Sequence, residues 1–203
     1  MSSLEVDGVQ LPGELEVPAP AAGLVIFAHG SDSSRHSTRN QYVAKVLNEA
    51  GLGTLLFDLL TPAEAADRRN VFDIELLASR LTATRAWAAD AVELPIGYFG
   101  ASTGGAAALW SAAETEVHAV VSRGGRIDLA GPRLASVTAP TLLIVGERDT
   151  DVLRYNRESQ QALRCPNQLE IVAGATHLFP EPGALEQVAE LARNWFLDTL
   201  PRT

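Results

Sequence analysis

Apolar residues in this chain fall into two kinds of pattern. Near the start, Leu4 to Gln10 and Glu14 to Val17 alternate apolar and polar positions around Leu11-Pro12-Gly13. A period of two broken by Pro-Gly predicts an antiparallel hairpin with one wet face. Pro18, Pro20 and Gly23 end that pattern, and the unbroken apolar run Leu24–Ala28 follows. Runs of the same kind recur at Gly53–Phe57, in the segment from Pro95 into Gly100, at Ala119–Ser122 and at Thr141–Val145. Such runs predict strands covered on both faces. Leu169–Val172 is read as a further strand.

Between the strands the spacing becomes helical. Tyr42, Val43, Val46 and Leu47 share one face, with Gly51 as a stop signal. Ile74, Leu77, Ala78, Leu81 and Ala88 share another, with Asn70 as the expected N-cap. Ala106–Ala113 is Ala-rich and helical. Ile127–Leu134 is expected as a short helix, Val152–Leu163 as a longer one, and Leu185, Val188, Leu191, Trp195 and Phe196 mark the last. Strands alternating with helices predict an α/β fold, a mostly parallel central sheet with helices on both faces.

Composition adds limits. The chain has 203 residues, 46% of them hydrophobic, which is enough for a sizeable core and is expected to form one domain over residues 1–203. A net charge of −9 argues against a nucleic-acid surface, because phosphate binding needs a basic field. Cys165 is the only cysteine, so neither an internal disulfide nor a Cys-based zinc site is expected. Met1–Asp7 lacks a basic start and an apolar run, and no segment approaches the ~20 apolar residues of a membrane span. A cytoplasmic protein without membrane insertion is the expectation, as monomer or homodimer.

Candidate chemistry gathers where the strands end. In parallel sheets, functional residues collect at the strand carboxyl ends. The segment from Pro95 runs into Gly100-Ala101-Ser102-Thr103-Gly104, a Gly-x-Ser-x-Gly pattern in the strand, turn and helix context that gives it meaning. His29-Gly30-Ser31 follows the first long strand, Asp149 follows Thr141–Val145, and His177 follows Leu169–Val172. Ser102, Asp149 and His177 thus occur in the chain order nucleophile, acid, base, as in the α/β-hydrolase arrangement. Asp151 is the rival acid, and an ordinary helix cap is the competing role for Asp149.

On Phe27-Ala28-His29-Gly30-Ser31, Gly100–Gly104, Val145–Asp149 and Ala175-Thr176-His177, the chain resembles the dienelactone-hydrolase-like family of the α/β-hydrolase superfamily. The resemblance runs from about Leu24 to Leu200. It departs in one respect, since dienelactone hydrolase proper is known for a cysteine nucleophile and this sequence has Ser102. The resemblance implies a serine hydrolase acting on esters or lactones, with Ser102 as nucleophile, His177 as general base and acid, and Asp149 orienting His177. Backbone N–H groups of Ser31 and Thr103 are the expected oxyanion donors. Neither a metal nor an organic cofactor is required.

Substrate contacts are expected at His29, Arg35, His36, Arg123, Leu59 and Leu178. Arg35, His36, Arg39, Asn40, Arg123 and Arg126 all lie on or near carboxyl-end loops of an acidic chain. Arg35 or Arg123 is the candidate for a substrate anion, and pairing with Asp32, Asp58 or Asp128 is the alternative. Only about twenty residues separate Ser122 from Thr141, too few for a cap domain. Small or accessible substrates are therefore expected. Thioesterase, amidase, acyltransferase or perhydrolase chemistry on the same triad remains open, as does a non-catalytic binding protein on this fold.

Overall fold

The computed structural model describes residues 2–201. Two antiparallel strands open the chain, β1 (Ser2–Val6) and β2 (Val9–Glu16), and β3 (Leu24–Ala28) follows. Then come α1 (Thr38–Glu49), β4 (Gly53–Phe57), the short helices α2 (Pro62–Ala65) and α3 (Arg68–Val71), and α4 (Ile74–Ala91). β5 (Ile96–Ala101) leads to α5 (Thr103–Ala112), and β6 (Ala119–Arg123) to a 3₁₀ segment at Ile127–Ser136. β7 (Thr141–Gly146), α6 (Thr150–Gln160), β8 (Asn167–Val172) and α7 (Ala184–Thr199) complete the order.

All eight strands join one sheet in the order β1-β2-β4-β3-β5-β6-β7-β8, with β3 to β8 parallel and β1 and β2 antiparallel to their neighbours. Alternation along each inner strand divides the core. Ile26, Leu55, Tyr98 and Val120 pack toward α4 and α5, whereas Val25, Phe27, Phe99, Val121 and Ile144 pack toward α1 and α7. Both faces are buried, which is why these strands read as continuous apolar runs. From β3 the chain moves to β4 on one side, then crosses to β5 on the other. The resulting switch point opens a crevice at the carboxyl ends of β3 and β5.

Two expectations need correction. The hairpin turn is Asp7-Gly8, with φ of 50° and 73°, and Val6 pairs with Val9. Both central residues take the positive φ that a two-residue hairpin turn demands, and Asp-Gly supplies it at low cost. Leu11-Pro12-Gly13 lies inside β2. Pro12 is tolerated there because its ring nitrogen faces the β4 side just past the last β2–β4 pair, Gly13 with Phe57, where only its carbonyl is used, accepting from Asp58 N–H. The second correction concerns Asn70, which lies within α3 and donates its amide to the Glu64 carbonyl at 2.9 Å. Asp73 caps α4 instead, accepting from Leu76 N–H at 3.0 Å. No cap domain interrupts the path from β6 to β7, where the 3₁₀ segment folds back onto α5 and α6.

Candidate active site

β5 ends at Ala101 and α5 begins at Thr103, so Ser102 alone makes the reversal, with φ 53° and ψ −121°. Strain of this kind costs roughly 1–3 kcal/mol and persists only when its surroundings hold it. They do so tightly here. Ser102 N–H donates to the Arg123 carbonyl at 3.1 Å, and the Ser102 carbonyl accepts from Gly105 and Arg126 N–H, each at 3.0 Å. The flanking glycines are steric necessities. A Cβ on Gly100 would lie 2.4 Å from the Gly104 carbonyl oxygen, and one on Gly104 would lie 2.1 Å from that of Ala28.

His177 is carried on the loop after β8. That loop is fixed by the Thr176 hydroxyl donating to Glu181 at 2.7 Å, by Arg148 N–H donating to the Ala175 carbonyl at 2.9 Å, and by the buried ring of Phe179 at φ 54°. The Thr176 hydrogen bond also lowers the Glu181 pKa, favouring the ionised form that holds the loop. His177 Nε2 lies 3.3 Å from Ser102 Oγ, and His177 Nδ1 lies 2.5 Å from Asp149 Oδ2. An ionised carboxylate only accepts, so Nδ1 carries the proton and Nε2 is left to take one from the serine.

Asp149 sits at the N-cap position of α6 and makes no side-chain capping bond there. Its carboxylate turns to His177 instead, which answers the helix-cap alternative. The rival acid Asp151 is 82% exposed and lies 3.8 Å from Arg154. Asp149 itself is 13% exposed against 37% for His177, so the acid is shielded while the imidazole reaches open space.

Two cavities flank Ser102 and share the loop Gly30-Ser31. The first, about 170 Å³, has an apolar wall of Leu59, Leu60, Pro62, Ala65, Val71 and Leu77, and its floor includes Ser31 and Thr103. The second, about 450 Å³, is lined by Ser102 and His177 together with Ser37, Arg39, Arg123 and Leu178. Thr103 opens α5, where helical N–H groups lack intrahelical partners. Ser31 faces it across the crevice between β3 and β5, at the junction of both cavities.

The remaining candidates separate. Leu59 and His29 line the smaller cavity and Leu178 the larger. His29 is a strut: its Nε2 accepts from Leu59 N–H at 3.1 Å, so Nδ1 donates to the Gly30 carbonyl at 2.9 Å, tying the β3 and β4 loops together. Burial lowers its pKa, which favours this neutral form. Arg35 is spent structurally, since its guanidinium pairs with Asp58 and lies 3.8 Å from Glu14. His36 is exposed and lines neither cavity. Arg126 pairs with Asp128 at 2.8 Å and lies over Tyr155.

Arg123 differs from all of these. It is 6% exposed, has no ion pair among the described residues, and lies 5.9 Å from the centre of the Phe179 ring. Arg39 joins it in the larger cavity and was not singled out by the sequence as a substrate contact. Its only signal was membership in the basic group near the carboxyl ends, and the first turn of α1 is what aims it at the cleft. Among the described residues no cluster of three or more His, Cys, Asp or Glu is arranged to hold a metal ion. No helix among them is long and apolar enough to cross a membrane.

Comparison with known proteins places this arrangement in context. No protein-family model matches the chain. A crystal structure of dienelactone hydrolase from Anabaena variabilis superposes with a TM-score of 0.96 at 52% identity, over 98% of this chain and 97% of that one. A lid-less α/β serine hydrolase from Xanthomonas campestris superposes with a TM-score of 0.78 at 20% identity, over 100% and 95% of the two chains, a likeness of fold. Curated proteins from two strains of Mycobacterium tuberculosis, carrying a provisional phosphoribosyl transferase name, are 61% identical over 197 residues. The match covers 95% of this chain but 44% of theirs, so the chain spans less than half the length of these relatives.

Proposed function

This chain belongs to the dienelactone hydrolase family of α/β hydrolases, and from the geometry of its site we propose that it is a serine hydrolase cleaving carboxylic esters or lactones through an acyl-enzyme on Ser102. The observation that carries this reading is the continuous line Ser102 Oγ, His177 Nε2, His177 Nδ1, Asp149 Oδ2, with contacts of 3.3 and 2.5 Å. Ser102 Oγ attacks the acyl carbon while its proton passes to His177 Nε2. The imidazolium that forms is stabilised by Asp149. Charge developing on the carbonyl oxygen is met by the N–H groups of Ser31 and Thr103, each such donor typically contributing roughly 2.7–4 kcal/mol.

Collapse breaks the bond to the leaving oxygen, which takes the proton from His177. A water then gives its proton to His177 and attacks the acyl carbon, releasing the acid and restoring Ser102. Substrates are small-molecule esters or lactones, with no nucleic-acid partner, and the chain acts as one domain, its described residues built on one sheet. The transferase name of the longer relatives leaves more than half of their length outside the shared stretch, and the triad favours hydrolysis for the stretch they share.

A panel of p-nitrophenyl esters, lactones and acyl thioesters tests the reading and ranks the leaving groups. Wild type is expected to turn over at least one ester. Ser102→Ala is expected to lose about 10⁴-fold or more in kcat. Full activity in Ser102→Ala overturns the reading.

A further inference from the structure

One buried side chain joins the helix of the acid to the turn of the nucleophile. Asn156 lies about two turns along α6 from Asp149, is fully buried, and lines neither cavity beside Ser102. Its Nδ2 donates to the Gly125 carbonyl and to the Val152 carbonyl, each at 2.8 Å. Both partners only accept, so the amide nitrogen must be the atom that faces them. The bond to Val152 stays within α6. The bond to Gly125 leaves the helix and crosses to the loop that follows β6.

That loop, Arg123–Arg126, reaches both the nucleophile and the base. The Arg123 carbonyl and the Arg126 N–H hold the strained backbone of Ser102 at 3.1 and 3.0 Å. Between them Gly124, at φ 53°, passes so near the imidazole that a Cβ there would lie 3.4 Å from His177 Nδ1 and Cε1. Gly124 N–H donates to the Ile144 carbonyl at 2.7 Å, which ties the loop to β7, the strand that leads to Asp149. Gly125 packs too closely for a side chain, since its Cβ would fall 1.9 Å from Ser122 Oγ. The loop has one polar anchor on α6, and it is Asn156. A buried carbonyl stripped of its donor is costly, and strained backbone persists only where its surroundings fix it.

Building on the Ser102 reading, we propose that Asn156 is a positioning residue for acyl transfer: by holding the Gly125 carbonyl it keeps the Arg123–Arg126 loop where that loop fixes both the Ser102 turn and the His177 ring. Asn156 thereby sets the rate of a reaction whose atoms it never touches. A shift of about 1 Å in such a support is enough to cost ~10²-fold in rate. Substrate binding in the two cavities is left as it was.

Three variants test this, read by kcat and KM on a p-nitrophenyl ester, by the rate of fluorophosphonate labelling at Ser102, and by circular dichroism for folding. Asn156→Leu removes the donor at similar size, and its kcat and labelling rate should fall together by ~10- to 100-fold with KM within about twofold of wild type. Thr84→Val is the control for loss of a buried hydrogen bond elsewhere, because the Thr84 hydroxyl is fully buried and donates to the Arg80 carbonyl at 2.9 Å in α4. It should keep wild-type kcat whatever it loses in melting temperature. In Asn156→Asp the new carboxyl can donate to Gly125 only when protonated, so its kcat relative to wild type at the same pH should rise by ~10-fold from about pH 8 to about pH 5. A wild-type kcat in folded Asn156→Leu, a loss confined to KM, or an equal fall in Thr84→Val overturns the proposal. If Asn156→Leu does not fold, Asn156→Asp decides, and a relative kcat that does not change with pH overturns it. Wild type that neither turns over esters nor labels at Ser102 counts against the Ser102 reading instead.

Discussion

On one flank of Ser102 stands a polar relay, with His177 and Asp149 aligned over contacts of 3.3 and 2.5 Å. On the other lies a chamber walled by Leu59, Leu60, Val71 and Leu77. The relay depends on single atoms in fixed positions, and its parts have no substitutes nearby. The chamber depends on volume, which many side chains share. Damage to the first should be all-or-none, and damage to the second graded. On the proposed reading, the chemistry is held rigid while the substrate range is adjustable through short loops.

The largest effect should come from the relay. Asp149→Asn keeps the shape but offers His177 the wrong tautomer, and kcat should fall by about 10⁴-fold with little change in melting temperature. An equal loss in Asp151→Asn would break the distinction drawn between these two acids. The chamber should respond more mildly. Ala65→Leu fills part of it, so the ratio of kcat/KM for hexanoate over acetate esters should drop by ~10-fold, in line with the 1–3 kcal/mol that pocket methylenes carry. An unchanged ratio would show that the acyl chain goes elsewhere.

Beneath both flanks, Gly104→Ala forces a Cβ to within 2.1 Å of the Ala28 carbonyl oxygen. Thermal or denaturant unfolding should register a loss of about 1–3 kcal/mol. The smallest effect concerns His29, whose folded pKa lies below the ordinary 6.5 because burial favours the neutral ring. Protons therefore bind the unfolded chain first. The stability tied to neutral His29 is complete above about pH 6.5 and is lost as pH falls from there toward the depressed folded pKa. Wild type should lose more of its Tm between about pH 7 and about pH 5 than His29→Asn does. Parallel curves would remove His29 from its role as a strut between the loops.

The order of strands and helices was legible because the inner strands β3 to β7 are buried on both faces, which writes an unbroken apolar run into Leu24–Ala28 or Thr141–Val145. That Ser102 and Asp149 lie at strand ends was legible because each follows such a run, whereas His177 follows the half-exposed β8. Local turn chemistry was less so. Asp7-Gly8 is a strong hairpin signal that Leu11-Pro12-Gly13 masked, and two good caps, Asn70 and Asp73, compete within four residues of sequence. The arginines were beyond sequence reasoning for a physical reason. Arg35, Arg39 and Arg123 read alike as cations near carboxyl ends, yet only tertiary packing gives Arg35 its Asp58, whereas among the described residues Arg39 and Arg123 form no ion pair.

The central claim is that Ser102 becomes covalently acylated. Incubation of the wild-type protein with a fluorophosphonate, followed by intact-mass and peptide mass spectrometry, measures this most directly. The account predicts one adduct per chain, on the peptide carrying Ser102, formed in step with loss of esterase activity and absent in Ser102→Ala. Labelling at another residue, or full activity with Ser102 modified, would contradict it.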